Sequence, residues 1–222
     1  DNPEGNIRFR KTPHVWGPEQ KDSKGEKYKV CVCCGASSKE YDRAPELETH
    51  AYEFIHMINI EEAFKMSFFD VIISNPPYQL TTGQGQSQAS PLYHLFVEQS
   101  KKLNPKYITM IIPSRWFTGG MGLDSFRNDK RIRKIVDYSL STDCFPGVDI
   151  AGGVNYFLWD SRYNGECEYT FIDKEKHSTQ IRQLNEFDVF VRNNAAINII
   201  YKVLNKKEES IGKCKYNLLF SI

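Results

Sequence analysis

The rhythm of apolar and polar positions changes near residue 50. Residues 1–45 are rich in Lys, Glu, Gly and Pro, and only Val15-Trp16 and residues 28–34 could anchor packing. This stretch is expected to be a loop-rich insertion or linker with no core of its own. Beyond it, residues 51–55 predict a short strand and residues 60–66 a short helix. Residues 69–74 (FDVIIS) are short, β-branched and nearly all apolar, the pattern of a buried strand. That strand stops at Pro76-Pro77, because proline cannot continue a hydrogen-bonded ladder. Residues 91–103 predict a helix, with Pro91 in its first turn and Leu92, Leu95, Phe96 and Leu103 on one face. Residues 107–112 predict a second buried strand, ended by Pro113. Residues 123–130 read as helical. Residues 132–138 read as a third strand, and residues 153–159 and 168–172 as two more. Residues 193–204 read as a helix whose apolar face is Ala196, Ile199, Ile200 and Val203.

Strand and helix in alternation predict an α/β sheet with parallel neighbours and helices on its faces. Ligands of such sheets gather at the carboxyl ends of the strands. Asn75–Tyr78 and residues 113–117 each follow a strand, so both are expected on one rim. The chain divides into a loop-rich insertion or linker (1–49), a main α/β part (50–205) and a tail or the start of a further segment (206–222).

Composition narrows the class. Apolar residues make up 40% and charged residues 26% of the 222, an ordinary globular mixture. It excludes a disordered chain, a collagen-like repeat and a coiled coil. A membrane span needs about 20 consecutive apolar residues, and none is expected here. No leader is recognised at Asp1-Asn2-Pro3-Glu4-Gly5, so the expectation is a cytoplasmic protein. With 29 basic and 28 acidic residues, net charge does not announce a nucleic-acid binder. The basic run of residues 127–134 (RNDKRIRK) is read as a solvated junction before it is read as a phosphate track. The cysteines are Cys31, Cys33, Cys34, Cys144, Cys167 and Cys214, expected as reduced thiols. A Cys2His2 zinc set of Cys31, Cys34, His50 and His56 can be drawn. With no second Cys-x-x-Cys, the expectation is thiols in a loop-rich segment and no metal.

The chemistry concentrates at Asn75-Pro76-Pro77-Tyr78. Two prolines fix two backbone φ angles and remove two N–H donors. The Asn75 side-chain oxygen and the Pro76 carbonyl can then both accept from one NH2 group. Two acceptors hold its hydrogens and aim its lone pair at an electrophile. Tyr78 adds a flat π-face suited to a planar base or amide. Such a site suits methyl transfer to a weakly nucleophilic amine, which needs positioning and neither a strong base nor a metal.

Residues 69–78 resemble the catalytic motif of S-adenosylmethionine-dependent amino methyltransferases. With residues 90–116, Phe126-Arg127, residues 132–138 and residues 144–159, the chain resembles adenine-specific DNA methyltransferases of bacterial restriction–modification systems. The closest likeness is to the class with gamma-type motif order, often fused to restriction enzymes. The resemblance covers roughly residues 50–160. It implies a partial Rossmann-like methyltransferase sheet, S-adenosylmethionine as cofactor and double-stranded DNA as partner. A fused or associated restriction endonuclease or helicase is a further implied partner. It implies that Asn75 and Pro76 accept from the adenine amino group, that Pro77 shapes the loop, and that Tyr78 stacks on the flipped-out base. Phe145, in Cys144-Phe145-Pro146, is implied as a second contact to that base. Pro113-Ser114-Arg115-Trp116 resembles the next strand-end motif and carries no assigned role.

The family's glycine-rich cofactor loop has no match in residues 1–68. Gly83-Gln84-Gly85 and Gly120-Met121-Gly122 follow the motif and read as loops. The chain is therefore expected to be an internal fragment that alone binds S-adenosylmethionine weakly or not at all and is inactive. Two other functions remain open on sequence grounds: a protein-glutamine methyltransferase, which shares Asn-Pro-Pro-Tyr, and a non-catalytic DNA-binding or scaffolding module.

Overall fold

The computed structural model describes residues 14–42, 51–57, 69–80, 90–119 and 123–205. An amino-terminal hairpin pairs β1 (Gln20–Lys21) with β2 (Lys27–Tyr28), followed by α1 (Ser38–Tyr41) and α2 (Ala51–His56). The frame of the mixed α/β fold is a mixed sheet. Its strands are β3 (Val71–Ser74), β4 (Tyr107–Pro113), β5 (Ile132–Tyr138), β6 (Val154–Asp160), β7 (Cys167–Asp173) and β8 (Lys176–Arg182). Helix α3 (Tyr93–Lys102) links β3 to β4, and α4 (Asn194–Asn205) follows β8.

The spatial order is β3-β4-β6-β5-β7-β8. The pairs β3/β4 and β5/β7 are parallel, whereas β6 runs antiparallel to both β4 and β5, and β8 antiparallel to β7. The expectation of parallel neighbours thus holds at two of the five interfaces. The β7–β8 exception has a simple cause: only Lys174 and Glu175 lie between the two strands, too few for a crossover. β8 itself (KHSTQIR) escaped the sequence reading because its residues are mostly polar and exposed. Strands β3, β4, β5 and β7 point the same way. Their carboxyl ends, and the start of β6, form one rim, as expected for Asn75–Tyr78 and residues 113–117.

Period-two burial builds the centre. In β4, Ile108, Met110 and Ile112 are buried and join Tyr93 and Val97 of α3 in one core. Trp116 and Phe117, just past the strand, are buried in the same core with ring centroids 4.2 Å apart. Helix α3 ends where Asn104 takes φ 48°, a left-handed conformation that asparagine tolerates, just before Pro105.

Several expectations are corrected. Residues 51–56 are helical rather than a strand, because Tyr52, Phe54 and Ile55 pack together into a second cluster with α3 residues. Among the described residues β3 is the sheet edge and not a buried strand: Val71 is 47% and Ile73 78% exposed. Helix α3 starts at Tyr93, while Pro91 is bridged to Gln79. Residues 123–130 contain only the 3-10 turn Phe126–Asn128. In α4, Ile197 is buried while Ile199 and Val203 lie open, so the expected apolar face is not the one that packs. The helix expected at 60–66 and the loop at 81–89 lie outside the described residues. Among the described residues no helix is long and apolar enough to cross a membrane.

Candidate active site at the sheet rim

β3 delivers its last residue, Ser74, opposite Met110 of β4, so the next residue, Asn75, emerges directly at the rim. Asn75 is exposed and Pro76 is buried. Among the described residues, no turn or loop backbone N–H is bonded to the Pro76 carbonyl. Two prolines in succession explain this: the loop's own donors were removed by the sequence. Downstream the chain is sewn back onto α3. Leu92 N–H donates to Tyr78 O at 3.0 Å and Leu80 N–H to Ser90 O at 3.0 Å. The motif therefore sits between a strand end and a bridge that leads directly into a helix.

Tyr78 is half-buried and its hydroxyl has no partner among the described residues. Burial, with a smaller effect from nearby Cys144, pushes its phenol up to about 12, so it remains protonated at neutral pH. Cys144 and the adjacent, partly buried Phe145 belong to the loop that returns β5 into β6. Of this loop, only Cys144 registers electrostatically at Tyr78. Ser141 holds that loop, its Oγ donating to Val148 O at 2.8 Å and accepting from Ile150 N at 2.7 Å. Beside the motif lies a largely apolar cleft of about 330 Å³, walled by Phe54 and Phe96 together with Asn75, Pro76 and Pro77.

A buried polar cluster behind the rim went unnoticed in the sequence. Asp137, fully buried at the end of β5, accepts from Ser114 Oγ at 2.6 Å and from the Tyr169 hydroxyl at 2.5 Å. Arg192 grips the same carboxylate with two nitrogens, at 2.7 and 2.8 Å. Its third nitrogen donates to Gly152 O at 2.7 Å. Asn155 donates to Ser114 Oγ at 3.1 Å. Burial and the adjacent carboxylate drive the Tyr169 phenol far above its ordinary value. The network ties residue 114, residue 152 and β5 to one another. Arg115 is exposed and its side chain lies flat on Gly152, where a Cβ would come within 2.9 Å of its Cγ. No local motif could reveal the cluster, because Ser114 and Arg192 meet only through the sheet order.

The basic run is occupied internally. Arg131 pairs with Asp129 at 2.7 Å, Arg133 with Asp160 at 3.5 Å and Lys134 with Glu168 at 2.7 Å. Arg127 donates to Asp188 O at 2.8 Å. The basic side chains of these ion pairs are largely solvent-facing.

His14, Cys31, Cys34 and His56 place their ligand-type atoms within 4.8 Å of one another. His50, drawn as a partner from spacing, lies outside the described residues.

Residues 2–145 match the family described as Eco57I restriction-modification methylase. A Mycoplasma pneumoniae protein (strain ATCC 29342 / M129 / Subtype 1), named "Uncharacterized adenine-specific methylase", is 33% identical over 226 residues, covering 95% of this chain and 50% of that protein. The chain thus spans about half the length of that curated relative. Among solved structures, the type I restriction-modification system methyltransferase subunit from Streptococcus thermophilus is 12% identical, with a TM-score of 0.35 over 65% of this chain and 33% of that one. A chain of the DrdV–DNA complex is 14% identical, with a TM-score of 0.34 over 51% of this chain and 15% of that one. On the family match, the chain belongs to the Eco57I restriction-modification methylases.

Proposed function

We propose that the chain carries the base-accepting rim of an adenine-specific DNA methyltransferase of a restriction–modification system, acting on DNA in the cytoplasm. The methyl group passes from S-adenosylmethionine to the exocyclic amino group of an adenine flipped out of double-stranded DNA. Flipping is required because that amino group is otherwise paired within the stack. The observation that carries the reading is the exposed Asn75 beside a Pro76 carbonyl that no backbone donor of the described turns and loops occupies.

The chain's residues act on the acceptor. Asn75 Oδ1 and Pro76 O accept the two amino hydrogens, which draws the nitrogen lone pair out of conjugation and stabilises positive charge as it develops. Pro77 keeps the loop rigid. Tyr78 and Phe145 offer π-faces to the extruded base, an interaction worth about 1–3 kcal/mol per stacked base. The bound donor supplies an electrophilic methyl group. Among the described residues no parallel strand runs into a glycine-rich turn, so no side chain is assigned to the donor. The parallel β3–α3–β4 unit is the part of a Rossmann-like sheet that this reading uses.

The test measures N6-methyladenine by mass spectrometry after DNA is incubated with the full-length parent protein and S-adenosylmethionine. Asn75→Ala is expected to lower the rate at least about 100-fold, the cost of one preorganised transition-state contact, without changing the melting temperature. Tyr78→Ala is expected to lose about 10-fold or more through stacking, and Tyr78→Phe to retain most activity. Full activity of Asn75→Ala, or methyl groups found only on protein, would overturn the reading.

A further inference from the structure

The cluster of His14, Cys31, Cys34 and His56 has no part in methyl transfer. Its four side chains come from three separate segments: the residues before β1, the turn before α1, and the last residue of α2. Cys31 Sγ lies 3.8 Å from His56 Nε2, and Cys34 Sγ lies 3.7 Å from His14 Nδ1. Around a tetrahedral zinc ion, with its usual metal–sulfur and metal–nitrogen bonds, sulfur and nitrogen stand about 3.6 Å apart. The largest separation in the cluster is within 4.8 Å, so closure on an ion requires side-chain movements of about 1 Å.

The backbone is shaped for two convergent sulfurs. Cys31 and Cys34 are both buried, while Cys33 between them is exposed. The Cys31 carbonyl accepts from Gly35 N–H at 2.8 Å, and the Cys31 N–H donates to Ala36 O at 2.8 Å. Gly35 takes φ +79°, a left-handed turn that glycine adopts without cost. The bend turns both thiols to the same side. A purely aromatic packing site would not need four donor atoms facing one another, and buried lone-pair donors in such proximity are costly unless they share a proton or a cation.

The geometry points to a structural zinc site in which His14, Cys31, Cys34 and His56 are the four ligands. Two thiolates, both from buried cysteines, and two imidazoles match the chemistry of structural zinc and leave no open position for a substrate. The ion fastens the amino-terminal hairpin to α2. That helix places Phe54 against Phe96 of α3, centroids 5.8 Å apart, and Phe54 walls the cleft beside Asn75. A Cβ on Gly35 would lie 3.9 Å from Leu80, two residues past the Asn75–Tyr78 motif. The metal thereby braces the motif from behind. This inference is independent of the methylation reading.

The chain is purified without added metal or chelator and its metal content measured by plasma mass spectrometry. About one zinc per chain is expected. Less than about 0.2 overturns the proposal, as does a mass two protons lighter from a Cys31–Cys34 disulfide. Removal with a chelator is expected to lower the melting temperature, and added zinc to restore it. Replacement by cobalt is expected to give the visible bands of a tetrahedral ion with a near-ultraviolet sulfur band. An octahedral spectrum overturns the site. These readings use the unaltered chain and survive any variant that fails to fold. Cys34→Ser and His14→Ala are expected to lose stoichiometric zinc, whereas Cys33→Ser and His50→Ala keep it. Loss of zinc in His50→Ala would overturn the ligand set.

Discussion

Two polar clusters tie distant segments of the chain together in different ways. Around Asp137, opposite charges and hydrogen-bond donors meet within the chain, and the site closes by itself. Around His14, His56 and the two buried cysteines, four ligand-type atoms lie within 4.8 Å of one another. Both tie distant segments to the frame, one by an ion pair and one, as proposed, by a metal. The difference lies in what each can tolerate. A self-balanced buried pair is intolerant of losing either member. A metal knuckle depends on four donors and one turn, with slack elsewhere.

The largest expected effect lies at Gly153, where β6 leaves the Asp137 side of the rim. It takes φ +79°, and a Cβ there would sit 2.0 Å from Tyr138 O and 2.7 Å from Ser139 O. Gly153→Ala is expected to cost at least about 4 kcal/mol by urea unfolding, since backbone and not a flexible side chain must yield. A loss below about 1 kcal/mol would show that this side is as slack as the other. Next comes Arg192→Met, which leaves the buried Asp137 carboxylate with hydroxyl donors alone. It is expected to cost about 3 kcal/mol, read from the same unfolding curves. The smallest effect belongs to Gly35→Ala in the cysteine turn. Its φ is also +79°, but the nearest atom to a new Cβ is Leu80 Cδ1 at 3.9 Å. Only backbone strain is expected, about 1 kcal/mol, with zinc content unchanged. If Gly35→Ala proved as damaging as Gly153→Ala, the contrast between the two braces would fail.

The sequence carried what is local. Residues 107–112 and 132–138 were read as strands, and the paired prolines marked where β3 ends. What sequence did not carry was pairing. Asp137, Asn155 and Arg192 look like ordinary polar residues until β5 and β6 bring them beside Ser114. His50 looked nearer to a ligand than His14 because spacing along the chain was the only distance in view. The α2 segment was misread because a six-residue apolar stretch fits either period, and packing against α3 decided it. The exposure of Val71 and Ile73 was equally hidden, since a strand's composition does not state its place in the sheet.

That place at the border has a geometric corollary. Among the described residues β3 is hydrogen-bonded on one flank only, to β4, and its other flank presents main-chain groups in a row. A guest strand laid alongside in the same direction would terminate about 5 Å from Asn75, one inter-strand spacing away. Whatever that guest bears at its tip would then lie beside Asn75 at a distance dictated by peptide hydrogen bonding. Its alignment would be inherited from the ladder, and side chains would need only to refine it.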